Sequence, residues 1–99
     1  MKLINILYAD EYNDVDILRV PDFIHDNIGN VVQDFFNWVS STKSHGYYKQ
    51  GPDGHEVLCV GTNEFVKWLN ENYVQYEDQE IVVVEEHTKY NPNYPSAEF

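Results

Sequence analysis

The sequence predicts an α+β domain with two layers, in which two amphipathic helices lie mainly on one face of a mixed or antiparallel sheet of four to five strands. Short β-branched runs alternate along the chain with two segments whose apolar residues recur at helical spacing. The chain has 99 residues, which is the length of one domain. Its 42% hydrophobic and 15% aromatic residues are typical of a folded protein rather than a disordered one.

The chain begins with two predicted strands that are joined by a polar turn. Residues 2–9 and 15–20 are rich in Ile, Leu and Val, and the segment 10–14 between them has the polarity and length of a hairpin turn. Pro21 should end the second strand, because it has no N–H group for a sheet hydrogen bond. The first two strands are therefore expected to lie next to each other.

A first amphipathic helix is predicted after Pro21, and residues 40–46 are predicted to end it as a loop. Pro21 suits the first turn of a helix. Gly29 would cost about 1 kcal/mol inside a helix, which favours a start nearer Asn27. The apolar residues that mark one face of this helix are Ile24, Ile28, Val32, Phe35 and Val39.

Residues 54–73 give the clearest structural signal, which is that of a strand, a turn and a second helix. The strand is apolar on both faces, so we expect it to be central in the sheet, with Cys59 buried and unreactive inside it. Gly61 breaks the strand, and Thr62 is a residue type that can cap a helix. The apolar positions of that helix are Phe65, Leu69 and Tyr73. Trp38 and Trp68 are expected to pack between the helices and the sheet.

The remaining elements are a short strand, a turn, an interior strand and a tail. Residues 47–49 are the short strand, and residues 51–54 have strong turn chemistry. The β-branched run 81–84 is apolar on both faces, which is typical of an interior strand. Two prolines within 91–99 argue against regular structure there, so the predicted organisation is a domain over 1–90 and an extended tail. The aromatic residues expected to anchor this tail are Tyr90, Tyr94 and Phe99.

Charge is the strongest compositional feature. Seventeen acidic residues oppose six basic ones, which gives a formal net charge of −11. Such a field repels nucleic acids and anionic membranes and attracts basic protein surfaces, including the nucleic-acid grooves of other proteins. A purely solubilising role for the acidic residues is the alternative. The single cysteine and the absence of a signal-peptide pattern at the N-terminus lead us to expect a cytoplasmic protein.

The motifs of common catalytic and cofactor sites are missing from the sequence. It contains neither a phosphate-binding glycine loop nor a GxSxG element, and no histidine pair has the spacing of a zinc helix. The acidic segment 10–16 lacks the mid-loop glycine and closing glutamate of a calcium loop. The adjacent residues Glu85, Glu86 and His87 alternate in direction on a strand, so they cannot all converge. We therefore predict neither catalytic residues nor a metal or cofactor.

Two acidic clusters and a set of tyrosines are the candidate partner-binding residues. Tyrosine is enriched at protein interfaces, and carboxylates among tyrosines suit a surface that docks onto arginine and lysine. The candidates are Asp10, Glu11, Tyr12, Asp14, Asp16, Tyr47, Tyr48, Glu77, Asp78, Glu85, Glu86, Tyr90 and Tyr94.

The functional prediction is a non-catalytic protein-binding module, a stoichiometric inhibitor whose carboxylates mimic phosphates in a nucleic-acid-binding protein or nuclease. In type only, this small acidic chain resembles phage anti-restriction and anti-CRISPR proteins and the immunity proteins of bacterial toxins. Two alternatives stay open. One is an intracellular adaptor or homodimeric domain without mimicry, and the other is a metal-dependent hydrolase that uses the acidic cluster Asp10, Glu11, Asp14 and Asp16.

Overall fold

The computed structural model describes residues 1–8, 12–42, 45–74 and 80–99. A four-stranded sheet, a separate two-stranded sheet and three helices form an α+β fold, which confirms the predicted class. The elements are β1 (Lys2–Leu7), β2 (Val15–Val20), α1 (Asp22–Asp26), α2 (Ile28–Ser41), β3 (Tyr48–Gln50), β4 (Glu56–Leu58), α3 (Thr62–Asn72), β5 (Val82–Thr88) and β6 (Ser96–Glu98).

The four-stranded sheet is mixed and has the order β5-β2-β1-β6. β2 pairs antiparallel with both β1 and β5, whereas β1 and β6 are parallel. Side chains alternate along a strand, so Ile4 and Ile6 of β1 join the main core while Leu7 joins a second, smaller cluster. Both central strands are consequently covered on both faces.

The helices cover one face of this sheet. Apolar residues of α2 and α3 pack on it, and the ring of Phe35 lies 5.1 Å from that of Phe65 and 5.3 Å from that of Trp68. Trp68 is buried and Trp38 is partly buried against the same cluster, which confirms their expected position between the helices and the sheet. Within the described ranges, no helix has the length and apolar character needed to cross a bilayer.

The first predicted helix is divided in two at Asn27. The backbone of Asn27 is not helical, with φ −124° and ψ 26°, and its side-chain amide donates a hydrogen bond to the carbonyl of Phe23. Asparagine competes in this way with the backbone bonds of a continuous helix. Gly29 consequently lies in the first turn of α2, where its low helix propensity matters less than in the interior.

The prediction that residues 54–61 form a central strand is wrong. Only Glu56–Leu58 are paired, and their partner is β3 in the separate two-stranded sheet. The side chain of Val57 is 49% exposed, and Cys59 is exposed rather than buried. β1 and β2 supply the longer strands of the core, with six residues each.

The run 81–84 was predicted to be interior, and this is wrong as well. Among the described residues, β5 pairs with β2 alone and is an edge strand, which continues through Glu85 and Glu86 to Thr88. Val84 is 43% exposed. A β-branched run shows that a segment forms a strand, but it does not show how many neighbours that strand has.

The prediction that residues 91–99 lack regular structure is wrong over Ser96–Glu98, which form β6. The buried side chain of Asn5 explains how this segment is held. Its amide donates to the carbonyls of Asn91 and Tyr94 at 2.9 and 3.1 Å, and its oxygen accepts from the N–H of Asn91 at 3.1 Å. The side chain of Asn5 thereby adds to the backbone pairing of this segment, in which the N–H of Asn5 donates to the carbonyl of Pro95 at 2.9 Å.

The aromatic residues of the tail were expected to lie across the domain or a partner, and all three pack on the domain. Tyr90 and Tyr94 pack on the small cluster on the face opposite the helices. Phe99 packs on the main core, with its ring 5.3 Å from that of Phe65 and 5.5 Å from that of Tyr8.

Candidate functional site

The pairing of β2 with β5 brings acidic residues from two distant segments to one end of the sheet. Asp16 lies in β2 one residue after Val15, which pairs with Thr88, and Ile17 pairs with Glu85. Asp14 and Asp16 therefore neighbour the segment that contains Glu86. The remaining acidic residues of the two predicted clusters lie outside the described residues: Asp10, Glu11, Glu77 and Asp78.

The candidate tyrosines lie in different places. Tyr12 is in the turn before Asp14, and its ring contacts that of Tyr90 edge to face at 5.2 Å. The rings of Tyr47 and Tyr48 stack instead on His45, at 4.6 and 5.5 Å. His45 and Tyr48 both bond the carbonyl of Val39 near the end of α2. Tyr94 packs on the face of the sheet opposite the helices.

A chain of hydrogen bonds joins the end of β1, the start of β2 and the start of α3. The hydroxyl of Thr62 donates to Oδ2 of Asp16, and Oγ1 of Thr62 lies 2.6 Å from the phenol oxygen of Tyr8. Threonine has a single hydroxyl proton, so Tyr8 must be the donor to Thr62. Burial raises the pKa of Tyr8, and the nearby charges of Asp16 and Glu64 raise it further. The carboxylate of Asp16 is the final acceptor of the chain.

Thr62 was predicted as a possible helix cap, and this is wrong. Gly61 is the N-cap of α3, and its N–H donates to the carboxylate of Glu64 at 3.1 Å, as in one half of a capping box. The hydroxyl of Thr62 is directed to Asp16 instead. A Cβ at position 61 would lie 3.1 Å from the phenol oxygen of Tyr8, so the close approach of the two segments favours glycine there.

His87 contacts both aspartates. Its backbone N–H donates to Oδ1 of Asp16 at 3.2 Å, and its ring Nδ1 lies 2.7 Å from Oδ1 of Asp14. Its φ of 52° is in the left-handed region, which is uncommon for a residue with a side chain. The register between β2 and β5 shifts on both sides of Ile17, which is the mark of a bulged edge strand. The hydrogen bond to Asp14 is the main reason that the pKa of His87 is raised.

An open cleft of about 320 Å³ lies where these elements meet. Its carboxylates belong to Asp16, Glu64 and Glu86, and neither lysine nor arginine is among its described lining residues. The full lining comprises Tyr8, Asp16, Gly61, Thr62, Asn63, Glu64, Glu86 and His87. The cleft is therefore rich in hydrogen-bond acceptors and negative charge.

The bonding pattern is not that of an activated hydroxyl nucleophile. Such a nucleophile donates to a histidine, which is oriented by an acid in turn. Here Thr62 donates to Asp16, whereas the ring of His87 bonds to Asp14. Across the described part of the chain, no three histidine, cysteine or acidic residues form a group that could hold a metal ion.

Sequence reasoning selected Asp14, Asp16 and Glu86 but missed Tyr8, Thr62, Glu64 and His87 as members of the site. One signal was present. Alternation along β2 places Asp16 on the same face as Leu18 and Val20, whose side chains belong to the main core. A carboxylate on that face needs donors from the helices, and Thr62 at the start of α3 is such a donor.

The chain matches no protein-family model, no curated protein and no solved structure. Its functional assignment therefore depends on the geometry and charge of this site.

Proposed function

We propose that this protein is a small acidic module that binds a basic surface of another protein through one end of its sheet. We call this surface the acidic edge and define it as Asp14, Asp16, Glu64, Glu85 and Glu86. The observation that carries the proposal is the open cleft, in which three of these carboxylates gather without a lysine or arginine among the described lining residues. A guanidinium or ammonium group of a partner would supply the missing positive charge.

The negative charge of the acidic edge survives its hydrogen bonding. Asp16 accepts from the hydroxyl of Thr62 and the N–H of His87, and Glu64 accepts from the N–H of Gly61. These donors carry no net charge, so they satisfy the carboxylate oxygens without neutralising them.

The finer form of the proposal is stoichiometric inhibition of a nucleic-acid-binding protein or nuclease, with carboxylates in the place of phosphates. A formal charge of −11 on 99 residues supports this form, because it opposes direct binding to nucleic acid and favours basic grooves that bind it. Long-range attraction acts mainly on the association rate. The proposal therefore predicts fast association that is sensitive to salt.

Capture from a cell lysate on immobilised protein tests the proposal, with bound proteins identified by mass spectrometry before and after addition of duplex DNA. The test variant combines Asp14→Asn, Glu85→Gln and Glu86→Gln. The matched control combines Glu71→Gln, Glu80→Gln and Glu98→Gln, all at exposed positions. Each variant loses three negative charges, so the pair separates the acidic edge from net charge.

We expect the wild type to capture nucleic-acid-binding proteins that DNA displaces. The test variant should associate about tenfold more slowly with the captured protein at low salt, and the control should resemble the wild type. Capture that is unaffected by both DNA and salt would exclude phosphate mimicry. Equal effects of the two variants would exclude the acidic edge as the binding surface. A dimer in light scattering without any basic partner would favour the homodimeric alternative.

A further inference from the structure

One carboxylate of the acidic edge already has a positively charged candidate partner within the chain. The ring Nδ1 of His87 lies 2.7 Å from Oδ1 of Asp14, and both side chains are largely exposed, at 79% and 59%. An exposed partner could reach either group. The position of the imidazole at Asp14 is therefore one that a basic side chain of a docking protein could also take.

We propose that the imidazolium of His87 is an internal, pH-controlled competitor for the basic groups of a partner at Asp14. This inference rests on the proposed docking function, because it describes how binding at the acidic edge is regulated. When the ring is protonated, it occupies Asp14 and adds one positive charge to the edge. When the ring is neutral, the charge of Asp14 is available to the partner.

The backbone of residue 87 is fixed beside Asp16. The backbone N–H of His87 donates to Oδ1 of Asp16 at 3.2 Å, and its φ of 52° is in the left-handed region. β5 is bulged in this region, so residue 87 departs from regular strand geometry. The fold therefore fixes the backbone from which the ring reaches Asp14, and the hydrogen bond to Asp14 holds the ring itself.

The groups around His87 favour its protonated form. The hydrogen bond that the ring donates to Asp14 has the largest effect, followed by the charge of Asp14, and together with Asp16 and Glu86 they raise the pKa of His87 above its ordinary 6.5. Binding to a basic partner should therefore strengthen as the pH rises through values above 6.5. The charged and titratable groups that face the ring or line the same cleft are Asp14, Asp16, Glu86, Glu64 and Tyr8.

The test uses a fluorescent octa-arginine peptide as the probe, with anisotropy measured between pH 5.5 and pH 8.5 at constant ionic strength. His87→Asn removes the titratable ring, and asparagine tolerates the left-handed backbone. His55→Asn is the control, because it removes an exposed histidine beside the turn between β3 and β4. The imidazole signals are titrated by NMR in the wild type and in Asp14→Asn, which reports on the pair without any partner.

We expect the affinity of the wild type to rise about two- to fivefold across this range, as for one exposed charge pair. His87→Asn should keep the higher affinity throughout, His55→Asn should follow the wild type, and Asp14→Asn should lower the NMR midpoint of His87. Equal pH dependence in wild type and His87→Asn, or an unmoved midpoint, would overturn this inference alone. No binding by any variant at any pH would overturn the docking function together with it.

Discussion

Acidic residues lie at both ends of β2, but the partners of their carboxylates differ between the two ends. After the C-terminal end of the strand, Asp22 pairs with the amino group of Met1 at 3.2 Å, and Asp26 pairs with Lys2 at 3.3 Å. His25 adds a further contact to Asp26 at 2.8 Å. At the other end, the described partners of Asp16 are neutral donors, and Asp14 contacts only a histidine.

The difference shows that net charge and local charge are separate properties. A formal −11 is compatible with an evenly distributed, solubilising surface. Among the described residues, ammonium groups neutralise the carboxylates at one end of the strand, whereas at the other end Asp16 has neutral donors and Asp14 has the imidazole of His87 as its partner. The neutralised end is the natural internal reference for the acidic edge, because the same residue types occur there in ion pairs.

The largest expected effect comes from Asp16→Ala, compared with Asp26→Ala. Asp16 is half-buried and accepts from Thr62 and His87, so its removal should leave two donors without an acceptor and cost about 2–3 kcal/mol. Asp26 is an exposed ion-pair partner, and its loss should cost clearly less than that of Asp16. Urea unfolding followed by circular dichroism measures both. Equal losses would show that the two ends are energetically alike.

Thr62→Val is the next step down in effect. It keeps the shape of the side chain but breaks the chain from Tyr8 to Asp16, so we expect a loss of about 1–2 kcal/mol. Thr62→Ser, which keeps the hydroxyl, is the control and should lose less. The double variant with Asp16→Ala should be less destabilised than the sum of the two single variants. Additive losses in urea unfolding would contradict a connected chain.

The two ends should respond to pH in opposite directions. Because the Asp14 hydrogen bond raises the pKa of His87 above 6.5, its stabilisation is fully present below 6.5 and is lost as the pH rises through the folded-state pKa. The hydrogen bond with His25 lowers the pKa of Asp26 below 3.8, so its stabilisation is present above 3.8 and is lost as the pH falls through the folded-state pKa. Melting temperatures across pH should lose the alkaline slope in His87→Asn and the acid slope in Asp26→Asn. Unchanged slopes in both variants would mean that neither pair persists in solution.

The smallest effect is spectroscopic. Burial raises the pKa of Tyr8, with Asp16 and Glu64 contributing through their charges, and burial likewise raises the pKa of Tyr73. In an alkaline titration followed by tyrosine absorbance, we therefore expect a late component, which is the part of the absorbance change that occurs at higher pH than for an ordinary tyrosine. Tyr8→Phe should remove part of it and leave the part from Tyr73. A late component of unchanged size in Tyr8→Phe would place the phenol of Tyr8 in water rather than beside Thr62.

The positions of strands and helices along the chain could be predicted from sequence more reliably than the partners with which the strands pair. Residues 15–20 were predicted as a strand and form β2, because a short run of Val, Ile and Leu between a polar turn and Pro21 favours a strand. The roles of 54–61 and 91–99 could not be predicted in this way. The apolar first segment supplies one strand of a hairpin outside the main sheet. The second segment, with its two prolines, supplies β6, and the side-chain amide of Asn5 holds the residues that precede it.

The candidate site was predictable only in part. Asp14, Asp16, Glu85 and Glu86 were visible as members of acidic clusters, whereas Glu64 was not. Alternation along β2 puts Asp16 on the side of the core. The place of His87 could not be read from sequence, because it depends on shifts in the register between β2 and β5. The same holds for Thr62 and Tyr8, which meet only because α3 begins against the end of β1.

The parallel pairing of β1 with β6 has a consequence for synthesis. Residue 5 is opposite residue 96, so β1, which the ribosome synthesises early, cannot complete its pairing until β6 has been synthesised. Until then, one side of β1 and the buried amide of Asn5 lack their native partners. Contacts between such distant residues are slow to form, because the intervening chain loses conformational entropy when they close. We therefore expect folding to be completed after translation of residues 96–98, with release of a nascent chain truncated before residue 96 yielding an incompletely folded product.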